Sequence, residues 1–567
     1  MRKGCIMLCL VAVGAALAGG CAAPRVRVPL PEPPEPVAAG PARYDGEILY
    51  QILAGEFLER AGRGEEAAAH YLWAARASRD AAVARRAAQV ALDAGRAAEA
   101  LEAGRLWLAL EPASLPARQV VLVAHLRLGQ TLRARRAAEA LLEAAGGDEQ
   151  AWRTLVAVLA REPDREAAAE LAQWLAQAHG ERAEAHYLVA ALAAGRGDRE
   201  TALRAVDEAL ARRPDWSEAW ELAVQVRLAA GRGEEAAARL ADVLRTHPAP
   251  ALRLIRARLL VRLERLDEAR EEFGRLLRER PDDGEVLYAL ALLALRAEET
   301  AEAERLLRRL VAMDVRTGEA AYFLGQIAER AGRTEEAMAW YGKVRGGRYR
   351  MEAALRRAVL EARAGEVEAA LARLRRLRAE HPAQAAAVVL AEADILREAG
   401  RREEALALLG EALAEDPDHR DLLYTRALVA AELGRVEIAE ADLRRILAAD
   451  PDDAGALNAL GYTLADRTTR YEEAYRLIER ALRLRPDDPA ILDSMGWVLY
   501  RLGRLEEATR YLRRALDQGW DAEIAAHLGE VLWVRGYREE ARKIWADARH
   551  RAPDAEVVRR VMERFLQ

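Results

Sequence analysis

Residues 454–486 read AGALNALGYTLADRTTRYEEAYRLIERALRLRP, and residues 489–520 read PAILDSMGWVLYRLGRLEEATRYLRRALDQGW. Both stretches carry a Leu-Gly or Met-Gly pair in a first segment, then a turn, then Glu-Glu-Ala at the start of a second segment. A large apolar residue comes four positions after that alanine, and another alanine follows three positions later. This spacing predicts two short helices that approach closely through small residues, with the large side chain filling the space between them.

The turn of these stretches, of the Ala-Gly-Arg or Leu-Gly-Arg kind, recurs along the chain at spacings of 33 to 35 residues. Its glycine is found at Gly62, Gly95, Gly129, Gly197, Gly231, Gly332, Gly365, Gly400, Gly434, Gly503 and Gly536. Where the glycine is missing, we place the turn at Pro163, Arg265, Glu299 and Thr469. A fixed period of this size predicts a solenoid of about fifteen helical hairpins.

The residues at the small and large positions of each hairpin resemble the signature of the tetratricopeptide repeat. The matching positions are Gly461, Ala474, Ile478, Ala481 and Pro486 in one repeat, and Gly496, Ala508, Leu512 and Ala515 in the next. The resemblance implies an all-α fold, a right-handed superhelical solenoid of tetratricopeptide (helix-turn-helix) repeats, over residues 44–567. We interpret Trp220 and Trp545 as residues of the core between helices.

Composition agrees with an all-helical chain and excludes a nucleic-acid-binding footprint. Four Phe occur in 567 residues and β-branched runs are scarce, which favours helices over strands. The 86 basic and 92 acidic residues are well mixed and leave a net charge of −6. No basic patch is therefore visible, and we expect no nucleic-acid partner.

The amino terminus has the layout of a secretory signal peptide over residues 1–20. Met1-Arg2-Lys3 is a basic start, an apolar stretch runs from Ile6 to Leu17, and Ala-Gly-Gly precedes Cys21. This end resembles a bacterial lipobox, except that Ala18 stands where leucine is usual. The other two cysteines lie inside the segment that would be removed, so no disulfide is possible in the mature chain. We expect Cys21 to be acylated and to anchor the protein.

Residues 21–43 contain seven prolines and no helical periodicity, which predicts an extended tether roughly 60 Å long. Ala22 follows the cysteine, where aspartate marks inner-membrane retention in many enteric lipoproteins. By that resemblance we expect a protein on the periplasmic face of the outer membrane, which meets the membrane through its lipid anchor only.

A search for catalytic and cofactor motifs finds none. The nine histidines form no HExxH motif, Gly-x-Ser-x-Gly is absent, and the glycines near Lys343 lack phosphate-loop spacing. We predict no catalytic residue, no metal site and no small-molecule cofactor. The carboxylates lie mostly at the starts of second helices, where they suit the helix dipole and are expected to pair with an arginine one turn later. A glycan-acting enzyme with paired carboxylates stays open as a minor alternative.

Tetratricopeptide repeats bind partners through the concave face lined by their first helices. Counting from the Leu-Gly pairs, that face carries aromatic and charged residues near the carboxyl end: Asn458, Tyr462, Asp466, Asp493, Trp497, Tyr500, Arg501, Glu530 and Trp533. Trp, Tyr and Arg dominate the energetics of protein interfaces, so these residues are candidates for partner binding. The alternative for Trp497 and Trp533 is packing against neighbouring first helices.

Four stretches resemble a family of proteobacterial outer-membrane lipoproteins: LNALGYTLADRTTRYEEA (457–474), DDPAILDSMGWVLYRLGRLEEA (487–508), AAHLGEVLWVRGYREEARKIW (525–545) and ARASRDAAVARRAAQVA (75–91). Such lipoproteins bind and activate a periplasmic carboxyl-terminal processing serine protease, which degrades peptidoglycan hydrolases. The resemblance therefore implies a scaffold that recruits this protease. A scaffold for envelope assembly or polysaccharide export is the alternative.

Overall fold

The computed structural model describes residues 45–566, so the predicted signal peptide, Cys21 and the tether lie outside the described residues. The described residues form 31 α-helices and no strand. They divide into two compact units, the first ending at Leu306 and the second beginning at Leu307. In chain order the helices make fifteen helix–turn–helix pairs and a final single helix.

The helices up to and including the one that contains the division are α1 Gly46–Arg60, α2 Gly64–Ser78, α3 Ala81–Asp93, α4 Ala97–Leu110, α5 Leu115–Arg127, α6 Thr131–Ala144, α7 Glu149–Leu159, α8 Arg165–Ala178, α9 Ala183–Arg196, α10 Arg199–Arg212, α11 Ser217–Ala229, α12 Gly233–Thr246, α13 Pro250–Arg262, α14 Leu266–Glu279, α15 Gly284–Arg296 and α16 Thr300–Ala312.

The second unit continues with α17 Thr317–Arg330, α18 Thr334–Tyr341, α19 Arg350–Arg363, α20 Val367–Glu380, α21 Ala385–Glu398, α22 Arg402–Glu415, α23 Arg420–Glu432, α24 Val436–Ala449, α25 Ala454–Arg467, α26 Tyr471–Leu484, α27 Pro489–Arg501, α28 Leu505–Gln518, α29 Ala522–Val534, α30 Arg538–Arg551 and α31 Glu556–Leu566. A short 3₁₀ helix, Pro382–Gln384, precedes α21. The predicted all-α fold of tetratricopeptide hairpins is confirmed.

Close contact inside each hairpin comes from the small residues of the signature. A Cβ added to Gly461 would lie 2.5 Å from Ile478 Cγ1, and one added to Gly496 would lie 2.5 Å from Leu512 Cγ. Both large residues are fully buried. The two helices of each hairpin can therefore pack this closely only because the first helix has a glycine where it meets the large side chain of the second. Trp220 and Trp545 are 1% and 0% exposed, which confirms their predicted place in the core.

The eleven turn glycines all adopt left-handed backbone, with φ between +66° and +96°. This conformation ends the first helix and reverses the chain, and glycine adopts it without the steric cost of a Cβ. After Gly503, for example, the backbone N–H of Arg504 donates to the carbonyl of Leu499 at 2.9 Å. The recurrence of the turn in the sequence thus reflects one backbone geometry.

Two of the four turns without glycine are displaced by one residue from their predicted position. The left-handed residues are Glu264 (φ 60°) and Glu298 (φ 59°), whereas Arg265 and Glu299 are the residues that follow. The glutamate therefore takes the place of the glycine. The turns at Pro163 and Thr469 are of another kind, since the described residues have no positive φ at either turn.

Replacement of Glu298 by glycine is expected to raise the free energy of unfolding by about 1 kcal/mol, because glycine removes the strain of a left-handed side chain. The matched control is Gly231→Ala, which places a side chain on a left-handed turn residue and should lower the free energy of unfolding. An added Cβ at Gly231 meets nothing within 4 Å, so only its φ of +72° resists alanine, and we expect a loss of about 1 kcal/mol. Amide hydrogen exchange of the flanking helices measures both variants. Unchanged protection in Glu298→Gly would show that the glutamate is unstrained there.

Ion pairs connect the turns in a pattern that differs from the predicted one. In several hairpins the second glutamate of the Glu-Glu pair bonds the turn arginine three residues earlier, as Arg504 Nε does with Glu507 Oε1 at 2.7 Å. The first glutamate often bonds the turn arginine of the next hairpin, as Glu403 does with Arg435 Nη2 at 2.7 Å. These side chains are largely exposed, so each pair contributes at most about 1 kcal/mol.

Candidate functional site

Three first helices of the second unit, α25, α27 and α29, carry all nine residues predicted to bind a partner. Each helix is capped by an aspartate, Asp453, Asp488 or Asp521, whose side chain accepts backbone N–H groups of the first turn. Helix α25 contacts α27, and α27 contacts α29. The first helices of successive hairpins therefore form one continuous face.

Seven side chains of these helices, here named the first-helix cluster, lie together: Tyr462, Asp493, Trp497, Tyr500, Glu523, His527 and Glu530. At its centre, His527 Nδ1 donates to the two carboxylate oxygens of Asp493 at 3.0 and 3.1 Å. The Trp497 ring stacks on the His527 ring, with centroids 4.2 Å apart and planes inclined by 24°. These three residues are at least 92% buried, so the centre of the cluster is a packed polar group.

At the edge of this centre, two tyrosine hydroxyls donate hydrogen bonds to glutamate carboxylates. The Tyr462 hydroxyl donates to Glu523 Oε1 at 3.0 Å, and the Tyr500 hydroxyl donates to Glu530 Oε1 at 3.1 Å. Arg564 of α31 also donates to Glu530, at 3.2 Å. Each tyrosine thereby joins two first helices and holds its carboxylate in one orientation.

The surroundings shift the proton affinities of these groups. Burial by itself would lower the pKa of His527, but the hydrogen-bonded Asp493 carboxylate and the charges of Glu523 and Glu530 together raise the pKa to about 9. Burial and then the charge of Glu530 raise the pKa of Tyr500 to about 12. Burial also raises the pKa of Tyr462, followed by the charges of Glu523, Asp466 and Asp493. Three carboxylates therefore lie near the Tyr462 hydroxyl.

Four of the predicted residues lie outside the cluster. Arg501 turns toward the second helix α26, where it donates to the Tyr471 hydroxyl at 2.7 Å. Trp533 stacks on Trp545 at 5.7 Å, so packing accounts for its ring. Asp466 pairs with its neighbour Arg467 at 2.9 Å, and the side-chain oxygen of Asn458 is enclosed without a hydrogen-bond partner in the described region.

Two members of the cluster, Glu523 and His527, were missed by the sequence analysis. His527 lies 34 residues after Asp493, which is one repeat period, and Tyr462 bonds Glu523 across two hairpins. A search for complementary polar residues separated by one period would have found the first pair. Counting positions within single repeats could not, because the contact lies between repeats.

An exposed apolar surface lies on α1 of the first unit and was also missed. Leu49, Tyr50, Leu53 and Phe57 are between 47% and 70% exposed. Their spacing places them along one side of the helix, so they form an apolar stripe. A stripe of this kind marks a surface that can contact another molecule.

Within residues 45–566, no group of three or more His, Cys, Asp or Glu side chains is arranged to hold a metal ion. None of the helices in this range combines the length and the apolar character needed to span a lipid bilayer.

One family model for the tetratricopeptide repeat matches residues 288–350, 390–454, 424–489 and 459–523. A second model for the same repeat matches residues 227–293. The chain is 45% identical over 190 residues to the TPR repeat-containing protein PA4667 of Pseudomonas aeruginosa, which is 34% of this chain and 32% of that protein. It is 39% identical over 79 residues to human tetratricopeptide repeat protein 7A, 14% of this chain and 9% of the relative. The chain thus spans a third or less of the length of either relative.

Among solved structures, TTC0263, a thermophilic TPR protein of Thermus thermophilus, matches 32% of this chain and 98% of its own length. The sequence identity is 27% and the TM-score is 0.30.

The described helices pack as tetratricopeptide hairpins, and the matching family models cover residues 227–350 and 390–523 of them. The repeat fold is typically non-catalytic.

Proposed function

We propose that this protein is a lipid-anchored scaffold on the periplasmic face of the outer membrane that recruits and activates a carboxyl-terminal processing serine protease against peptidoglycan hydrolases. The observation that carries the proposal is the likeness of residues 452–545 to that lipoprotein family, together with the signal-peptide layout that ends at Cys21. The exposed apolar stripe on α1 and the continuous face formed by α25, α27 and α29 supply contact area for a partner.

Anchoring gives the scaffold a physical role beyond contact. A partner bound to a protein that is tied to the membrane meets wall-bound substrates at a raised effective concentration. An extended tether of roughly 60 Å would hold the repeats away from the lipid while keeping them close to the cell wall.

Affinity capture of the full chain from intact envelopes, followed by mass spectrometry, tests the proposed partner. We expect a serine protease of the carboxyl-terminal processing class, whose cleavage of a peptidoglycan hydrolase is stimulated by the purified chain. Recovery of export or envelope-assembly subunits without a protease would favour the alternative scaffold. Turnover of peptidoglycan by the purified chain alone would favour the glycan-acting enzyme.

Replacement of Cys21 by serine is expected to move the protein from the membrane pellet to the soluble fraction of the periplasm, because the thiol that would be acylated is lost. Cys9→Ser, within the segment that would be removed, is the matched control and should leave the protein in the pellet. Mass spectrometry of the amino-terminal peptide measures the acylation directly. An unmodified Cys21 in the wild-type protein would contradict the anchor.

A further inference from the structure

The apolar stripe of α1 lies where an internal hairpin receives the hairpin before it. Helix α29 shows the internal arrangement, because it contacts both α27 and α28 of the preceding hairpin. Its residues twelve, nine and five positions before the turn glycine are at most 5% exposed: Ile524, His527 and Val531. The second of them, His527, bonds Asp493 of α27, so this row of residues faces the preceding hairpin.

In α1 the same row is open. The three equivalent positions before Gly62 hold Tyr50, Leu53 and Phe57, which are between 56% and 70% exposed. Within residues 45–566 no hairpin precedes α1. The terminal repeat of a solenoid needs a polar outer face to remain soluble by itself. Helix α1 instead presents an open stacking face of large apolar side chains.

The last helix of the second unit has the opposite character. Helix α31 contacts α29 and α30, and its exposed residues before Leu566 are all charged: Glu556, Arg559, Arg560, Glu563 and Arg564. Such a face cannot cover large apolar side chains without burying charge. Head-to-tail stacking of α31 on α1 is therefore unfavourable. Two α1 stripes, in contrast, are alike and can cover each other in a closed pair.

The order of residues in α1 fits an antiparallel pair. Leu49 and Phe57 lie four positions to either side of Leu53. When two α1 helices run antiparallel about a two-fold axis near Leu53, Leu49 of each copy faces Phe57 of the other. The same arrangement brings Arg60, whose side chain is 80% exposed, beside the first turn of the second copy, which carries Glu47. A parallel pair would place each of these charges beside its own copy.

We propose that two copies of this chain associate through the stripe of α1, with the two α1 helices antiparallel about an axis near Leu53. Each copy then supplies the apolar cover that a preceding hairpin supplies inside the array. The proposed anchor at Cys21 would concentrate copies on one membrane, so that a small contact area is sufficient there. The pair itself requires only α1 and does not depend on the protease.

Sedimentation equilibrium of the full chain with Cys5, Cys9 and Cys21 replaced by serine tests the association without a lipid. We expect the mass of two chains at about 50 µM. Leu53→Glu places like charges across the axis and should weaken the pair at least about tenfold. Leu132→Glu is the matched control, because Leu132 is 71% exposed on α6 and lies outside the stripe, and it should leave the association unchanged.

Disulfide cross-linking in the same cysteine-free chain tests the orientation with smaller substitutions. Leu49→Cys and Phe57→Cys chains, mixed in equal amounts and oxidised, should form the mixed disulfide in more than the roughly twofold excess that random pairing gives.

A preference for disulfides between identical variants would overturn the antiparallel pair. Equal weakening by Leu53→Glu and Leu132→Glu would overturn the role of the stripe. The mass of one chain at every concentration would overturn the association and leave residues 22–44 or another molecule to cover α1. Protease capture from envelopes tests the proposed function separately, so either proposal can fail while the other holds.

Discussion

Replacement of Gly529 by alanine is expected to destabilise the last hairpin by about 3 kcal/mol, one of the two largest effects of any single change considered. An added Cβ would lie 2.5 Å from Trp545 Cε2, well inside van der Waals contact, and Trp545 is fully buried. The indole would have to move, at an overpacking cost of about 1–3 kcal/mol. Its hydrogen bond to the Ala526 carbonyl would be lost as well, at about 1 kcal/mol.

Amide hydrogen exchange of α29 and α30 measures this change locally, which suits a repeat protein whose hairpins need not open together. Gly410→Ala, inside α22, is the matched control: the nearest group to its added Cβ is the end of the Arg426 side chain, at 3.8 Å. That variant should gain up to about 1 kcal/mol from helix propensity.

The double variant Gly529→Ala with Trp545→Leu identifies the cause of the effect. In the preceding hairpin, Leu512 stands 16 residues after Gly496, as Trp545 stands 16 residues after Gly529. Leucine should therefore leave room for the alanine, and the two substitutions should be less than additive. Fully additive losses would show that the clash with the indole is not the reason for the glycine.

Replacement of Asp493 by asparagine is expected to lower the free energy of unfolding by about 3 kcal/mol at pH 6, because it removes the charge that stabilises a protonated, buried His527. The matched control is Asp418→Asn. Asp418 is 81% exposed and bonds Arg445 at 2.7 Å, so its loss should cost less than about 1 kcal/mol.

The same pair predicts a pH dependence with a definite sign. The pKa of His527 rises from 6.5 in the unfolded chain to about 9 in the folded protein. The stability from its protonation is complete below pH 6.5 and is lost as pH rises to about 9, a fall of about 3 kcal/mol. Urea unfolding of the second unit at a series of pH values should show this fall in the wild type and not in Asp493→Asn. Parallel pH profiles of the two proteins would contradict a charged His527.

The sequence alone was sufficient to predict the helical hairpins, their period and most of their turns. A left-handed glycine, two small residues and one large residue define each hairpin within about 34 residues, and these requirements are local. At Gly496 and Leu512 the structure reproduces the predicted contact. The displaced turn at Glu298 shows the limit, since a glutamate in the place of the glycine carries no mark in the sequence.

The candidate site depended on tertiary structure. Trp497 and Trp533 are the same residue type on neighbouring first helices, yet one stacks on His527 and the other on Trp545. What differs is the neighbour of each ring: the next first helix places His527 against Trp497, whereas the second helix of the same hairpin places Trp545 against Trp533. The periodicity of the sequence was sufficient to predict which residues share a helix face, because the helical repeat of the backbone sets that spacing. Only the stacking of one hairpin on the next brought His527 to Asp493 and Trp497, since these residues lie about one repeat apart.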